Sequence, residues 1–260
     1  MAVSIEKKYQ KLTDTEHVLL RPGMYVGSIK PHTEEVFLPM KGKDQFQLTE
    51  VTYNPGFLKL FDEIVSNSVD EHKRNIKLNK IKVDLDMSTG LISIWDNGGI
   101  PVKIHKEYDE WVPEMIFSNL KAGSNFDDTE DRVVVGTNGV GSTLTNIFSK
   151  EFTIETCDGK KQFIQTFKNN MSERTKAKIT NKKTAYTKIT YLTDFERFGL
   201  NGINKNHYLM ITKRLIDIAA CNPTLKIFLN DKPIAFKTFK DYASRYVTPI
   251  FYDQSEHWKI

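Results

Sequence analysis

The stretch NPGFLKLFDEIVSNSVDEHKR (54–74), followed by IKVDLDMSTGLISIWDNGG (81–99), decides the fold. In the first part Leu60, Phe61, Ile64, Val65 and Val69 recur at the helical period. A turn at Asn54-Pro55-Gly56 therefore opens a helix that runs to about Arg74. In the second part IKVDLD alternates as a half-buried strand, and LISIW is its neighbour across the Ser88-Thr89-Gly90 turn. Downstream, PEMIFSNL (113–120) reads as a short helix with Pro113 in its first turn. Lys121 to Gly141 is loop-like, and TLTNIFS (143–149) is helical again. Strand patterns follow at FTIETC (152–157), QFIQTF (162–167) and TKITYL (187–192), then a helix over about 207–220 and a hairpin opened by LKIFLN (225–230). Upstream, LLRPGMYVGS turns at Pro22-Gly23. This order predicts an α+β fold, a two-layer α/β sandwich on a mixed, mostly antiparallel sheet, and not a parallel doubly wound one.

A chain of 260 residues, 39% of them hydrophobic, suffices for one large domain or one domain plus part of a second. No apolar run approaches the roughly 20 residues of a membrane span, so no membrane partner is expected. The opening MAVSIEKKYQ lacks the apolar core of a secretory signal, which favours a cytoplasmic or nuclear compartment. Cys157 and Cys221 show neither metal spacing nor a disulfide framework and read as free thiols. The net charge of +4 permits an anionic partner without requiring one. Most of the surplus sits between Lys168 and Lys188, where Lys168, Arg174, Lys176, Lys178, Lys182, Lys183 and Lys188 face a single Glu173. Such a run either lies on DNA phosphate or is a solvated loop.

Three clusters carry chemistry. Glu63 and Asn67 stand four residues apart, hence on one helical face, among apolar neighbours that turn them toward a cavity. An amide oxygen suits Mg²⁺ and a carboxylate suits deprotonating a water, although a solvent-facing Glu and Asn would look the same. Asp96-Asn97-Gly98-Gly99 follows a strand: the carboxylate can accept a hydrogen bond from an exocyclic amine, and the glycines admit a flat ring. A plain turn has the same composition. Gly136-Thr137-Asn138-Gly139-Val140-Gly141-Ser142-Thr143 starts a helix, where converging N–H groups favour an anion. It is neither a Walker loop nor a dinucleotide fingerprint.

Taken together and in this order, the clusters resemble the ATP site of the GHKL ATPases. EHVLLRPGMYVGS (16–28), FDEIVSNSVDE (61–71), IWDNGGIPVKIH (94–105), PEMIFSNLKAGSNFDD (113–128) and VGTNGVGSTLTNIFS (135–149) look like the ATPase domain of type IIA DNA topoisomerases, in their eukaryotic and T4-type phage branch. The resemblance implies the Bergerat-type sandwich with helices on one face, ATP and Mg²⁺ as cofactors, Glu63 as general base and Asn67 as metal ligand. It further implies Asp96 at the adenine and Gly123, Ser124 and Asn125 at ribose and phosphate. Gly136 to Thr143 would form the phosphate loop, and Tyr9 would reach a partner copy's nucleotide. Double-stranded DNA, a second copy joined through ATP and a DNA-cleaving subunit or domains are the implied partners. The compartment is the host cytoplasm for a phage enzyme and the nucleus for a eukaryotic one; the substitutions lean to the phage.

Four departures stand out. Asp96 to Pro101 is one residue shorter than the family pattern. Gly123 replaces a Ser, and Thr137 and Thr143 replace an Arg and a Lys. No transducer follows, so the chain reads as a fragment, with an arm at 1–30, the ATPase domain at 31–220 and the start of the transducer at 221–260. Two rivals are weighed. A histidine kinase is disfavoured because none of the six histidines lies in a phosphoacceptor segment. A nucleotide-dependent clamp or chaperone module is disfavoured by Glu63.

Overall fold

The computed structural model describes residues 5–122, 139–236 and 238–247. In chain order the helices are α1 (Ile5–Lys8), α2 (Asp14–Leu20), α3 (Pro55–Arg74), α4 (Val112–Ser118), α5 (Gly141–Ile147), α6 (Lys205–Cys221) and α7 (Phe239–Ala243). The early strands are β1 (His32–Leu38), β2 (Gln47–Tyr53), β3 (Lys80–Leu85), β4 (Leu91–Asp96), β5 (Ile104–His105) and β6 (Glu110–Trp111). The later ones are β7 (Ser149–Cys157), β8 (Lys161–Lys168), β9 (Glu173–Arg174), β10 (Lys178–Asn181), β11 (Tyr186–Thr193), β12 (Lys226–Leu229) and β13 (Lys232–Ile234).

One sheet of nine strands organises the molecule, in the order β10-β8-β7-β11-β4-β3-β12-β13, with β9 paired to β8. Every pairing in it is antiparallel except β12 beside β3. Strand alternation explains the two faces. Ile81, Val83, Ile92, Ile94, Ile154, Phe163, Ile189 and Tyr191 enter one core with Phe57, Leu60, Phe61, Ile64 and Val65 of α3. The opposite face carries polar cross-strand pairs such as Ser93–Thr190 and Thr153–Thr166. The α+β sandwich expected from the sequence is therefore the observed one.

Helix α3 is anchored hard at its start, which matters because it carries two candidate residues. Asn54-Pro55-Gly56 is the helix's own beginning and no separate turn. Asn54, fully buried, accepts from Phe57 N–H at 3.1 Å and donates to the carbonyls of Ile29 and Phe198. Its own N–H donates to His207 Nε2 on α6 at 3.0 Å. Four bonds, three of them to distant segments, leave the cap no freedom, and Pro55 supplies the helical φ for the first turn. The hairpin β1–β2 and the short strands β9 and β10 were not legible beforehand. Part of the basic run thus lies in paired strand, where a loop was one of two expectations.

Candidate functional site

A cavity of about 550 Å³ opens between α3 and the start of α5, with the ends of β4 and β11 at its floor. Glu63, Asn67, Asp96, Gly139, Val140, Gly141 and Ser142 all line it, so three clusters separated in sequence meet in one place. Gly123, Ser124, Asn125, Gly136, Thr137 and Asn138 lie outside the described residues. Tyr9 is exposed on the arm and takes no part in this cavity. Thr143 also departs from expectation. It is fully buried, and its hydroxyl donates to the carbonyl of Asn119 at 3.0 Å. One residue along a helix rotates the side chain by about 100°, which turns Thr143 from the cavity onto the end of α4.

Glu63 and Asn67 project one turn apart from α3, as the periodicity requires. Glu63 is half-buried, with Lys59 Nζ 2.5 Å from its Oε1. Its Oε2 lies against Gly141 so closely that a Cβ there would stand 1.6 Å away. Gly141 is thus needed for space: only a residue without a side chain lets the carboxylate rest on the first turn of α5. Gly139 is needed for conformation, at φ +59°, where the chain turns into that helix. Asp62, next to Glu63, is drawn the other way by Arg214 of α6 at 2.5 Å, which leaves Glu63 as the carboxylate aimed at the loop.

Asp96 sits at the closed end and is only 7% exposed. Ser68 Oγ donates to its Oδ2 at 2.7 Å and Gly98 N–H to its Oδ1 at 2.9 Å. Burial pushes its carboxyl up to about 6, a rise that the charge of Glu71 adds to and the bonds from Ser68 and Gly98 oppose. Thr187 faces Asp96 across the β11–β4 ladder and lines the same floor. Its hydroxyl bonds that of Thr156 at 2.9 Å, and Thr156 Oγ1 accepts the N–H of Ile100. Gly98 and Gly99 do more than admit a ring. A Cβ at Gly99 would meet the Cys157 carbonyl oxygen at 2.2 Å, and one at Gly98 would meet Leu78 at 2.7 Å. The glycines let the turn pack against β7 and Leu78.

Sequence reasoning missed Ser68, Thr187 and Lys59. Ser68 and Lys59 were in principle visible from the helical spacing around Glu63 and Asn67. Thr187 was not, because strand register alone brings it to Asp96. Among the described residues, Lys59 and Arg74 are the cations along the cavity wall. A half-buried carboxylate beside an exposed amide, a desolvated carboxylate at the closed end and a Gly-rich helix start form a site able to hold a polar, anionic ligand with a flat hydrogen-bonding end.

No family model matches the chain. It is 44% identical to the DNA topoisomerase 2 of Acanthamoeba polyphaga mimivirus over 272 residues, covering 99% of this chain and 22% of that protein. The DNA topoisomerase 2 of Arabidopsis thaliana is 42% identical over 251 residues, with 94% and 17% covered. The chain thus spans about a fifth of the length of these curated relatives. Among solved structures, the ATPase region of Saccharomyces cerevisiae topoisomerase II superposes with a TM-score of 0.94 at 34% identity, over 98% of this chain and 70% of that one. The ATPase and transducer domains of DNA topoisomerase II from Balamuthia mandrillaris give 0.94 at 37% identity, over 99% and 68%.

Proposed function

The chain belongs to the DNA topoisomerase II family, within its ATPase region, and from that premise we propose that the cavity between α3 and α5 binds ATP with Mg²⁺ and hydrolyses its γ-phosphate. One observation carries the reading: Glu63, Asn67 and Asp96 line a single cavity roofed by Gly139–Ser142.

The closed end takes the adenine. Asp96 has oxygen lone pairs beyond those used by Ser68 and Gly98, and accepts the exocyclic amine through them; Thr187 offers a hydroxyl beside it. The open end takes the phosphates. Asn67 is exposed there, and no hydrogen bond within the described residues engages its amide. Among the described residues no three His, Cys, Asp or Glu cluster as a metal cage. That donor set suits Mg²⁺, which needs only one or two protein oxygens and keeps water and phosphate for the rest. When bound, the ion would neutralise charge on the phosphates. Glu63, held by Lys59 and resting on Gly141, orients a water and takes its proton as it attacks in line. The backbone of Gly139 to Ser142 closes on the phosphates with the favourable partial charge of a helix start.

Gly123–Asn125 and Gly136–Asn138 would complete the ribose and phosphate contacts, and Tyr9 on the arm (1–30) would reach a second copy. ATP-dependent pairing of two such ATPase domains (31–220) then gates passage of a DNA segment, while DNA cleavage lies in other parts. Residues 221–260 lead toward a transducer, although β12 and β13 complete the main sheet. A host-cytoplasmic or nuclear site of action fits this reading, and no helix among the described residues is long and apolar enough to cross a membrane.

Calorimetry and steady-state turnover on Glu63→Ala and Asn67→Ala test the division of labour. Glu63→Ala retains nucleotide and loses about 10²–10⁴ in turnover; Asn67→Ala loses metal and nucleotide together. Equal failure of both at binding, or full turnover without Glu63, defeats the assignment.

A further inference from the structure

The charge of this molecule is segregated. Residues 159–193 hold nine Lys and Arg against one Glu, a surplus of eight in a chain whose whole surplus is four, so the remainder is net acidic. The fold decides which of the nine form a patch. Antiparallel pairing of β10 with β8 sets Asn181 opposite Lys161, and the ladder continues with Lys182 N–H bonded to the Lys160 carbonyl. Lys160, Lys161, Lys182 and Lys183, from two turns some twenty residues apart in the chain, therefore meet at one corner of the sheet, and all four are exposed.

The nearby acids are already engaged. Asp158 accepts the N–H groups of Lys160 and Lys161 with one oxygen and that of Val102 with the other. Glu155 accepts the Tyr186 hydroxyl, on which Lys182 also rests, its Nζ 2.9 Å from that oxygen. No ion pair to a described residue engages Lys161 or Lys183, and Lys160 stands within electrostatic reach of Asp158 without a direct ion pair. By contrast Lys168 and Arg174, in the same run, are spent on Glu151 and Glu114. Guarding an edge strand against mispairing takes only a lysine on the strand itself, and Lys178 stands there. The corner lysines lie at or beyond the strand ends.

We propose that this corner, Lys160, Lys161, Lys182 and Lys183, is a docking surface for the phosphate backbone of duplex DNA. Cations on flexible stems, with Thr180, Asn181 and Thr184 as the polar company, suit phosphate contact and lack the means for reading bases. Only the preference for DNA over another polyanion rests on the family reading above; the polyanion surface itself follows from charge and register.

The test is fluorescence-anisotropy binding of a labelled random-sequence duplex of about 20 base pairs, across a salt series. It uses the wild type, Lys160→Gln/Lys161→Gln/Lys183→Gln, and a charge-matched control with Lys30, Lys41 and Lys43 changed to Gln. Lys182 is spared because its packing on Tyr186 supports the strand. The corner variant should bind about tenfold more weakly near 0.1 M salt and lose roughly 2–3 from the slope of log K against log salt. The control should change less than twofold, and nucleotide affinity should be the same in all three. Equal loss in both variants, or an unchanged slope, overturns the surface. Competition by poly-glutamate as effective as unlabelled duplex overturns the choice of DNA. Failure of the nucleotide reading shows separately, as absent nucleotide binding in the wild type.

Discussion

Glu63 and Asp96 are two of the five carboxylates that line one cavity, and they are built by opposite means. Glu63 is placed locally: it shares a helix with Asn67 and Lys59, stays partly solvated and is fixed by an ion pair and a glycine. Asp96 is placed by assembly, through Ser68 of α3, the N–H of Gly98 and Thr187 of β11, and is only 7% exposed. A carboxylate kept near water stays free to handle a proton and a hydrated ion. A carboxylate taken out of water makes each hydrogen bond worth more and each mismatch cost more. On the proposed reading, the closed end recognises and the open end reacts.

The sharpest way to break this contrast is Gly141→Ala. The added methyl occupies the place of Glu63 Oε2, so the base must swing out. Misplacement on the ångström scale costs about 10²-fold in rate, and turnover should fall that far while affinity for nucleotide changes much less. Turnover at the wild-type level in a variant that unfolds at the wild-type temperature would mean that Glu63 does not work from this pose.

Asp96→Ala comes next and should show in binding. Loss of a charge-assisted bond in a dry site costs about 1.5–3 kcal/mol, or roughly ten- to a hundredfold in affinity. Unchanged affinity by calorimetry removes Asp96 from the recognition end.

Smaller still is the pH dependence of affinity. An amine donor binds the ionised carboxylate, whose titration burial has pushed up to about 6. Affinity for ADP should climb severalfold as pH rises through 6, and Asp96→Asn should flatten that part of the profile. A wild-type profile parallel to that of Asp96→Asn would detach the titration from Asp96.

The smallest effect is on stability. Folded Asp96 holds a proton that the unfolded chain releases between about pH 4 and 6, so its contribution to stability falls as pH rises there. Burial depresses His207 to about 4, so the unfolded chain binds the extra proton between about 4 and 6.5, and stability rises with pH. The two oppose each other. Asp96→Asn leaves His207 alone, and its urea midpoint should rise more steeply from pH 4.5 to 6 than that of the wild type. Equal slopes would show that the two groups are not titrating against each other.

Much of the site was legible in the sequence, for reasons of range. The Glu63–Asn67 spacing and the strand ending in Asp96 are local patterns, and local geometry suffices to read them. The order of the three clusters then pointed to one nucleotide site. What the sequence pattern did not show is the phase of Thr143, whose side chain turns from the Gly-rich helix start onto the end of α4. The basic run hid another feature: register adds Lys160 and Lys161, from a turn outside the run, to the corner where Lys182 and Lys183 stand.

By itself the sequence determined the fold class, most of the longer elements and the residues proposed to meet the ligand, because periodicity and residue chemistry act within a turn or a strand. Only the tertiary structure decided what surrounds those groups. Strand register put Thr187 beside Asp96, and the packing of α5 on α3 made Gly141 a seat for Glu63. Pairing of β10 with β8 gathered Lys160, Lys161, Lys182 and Lys183 at one corner. Each of these depends on distance between residues far apart in the chain, which no local pattern encodes.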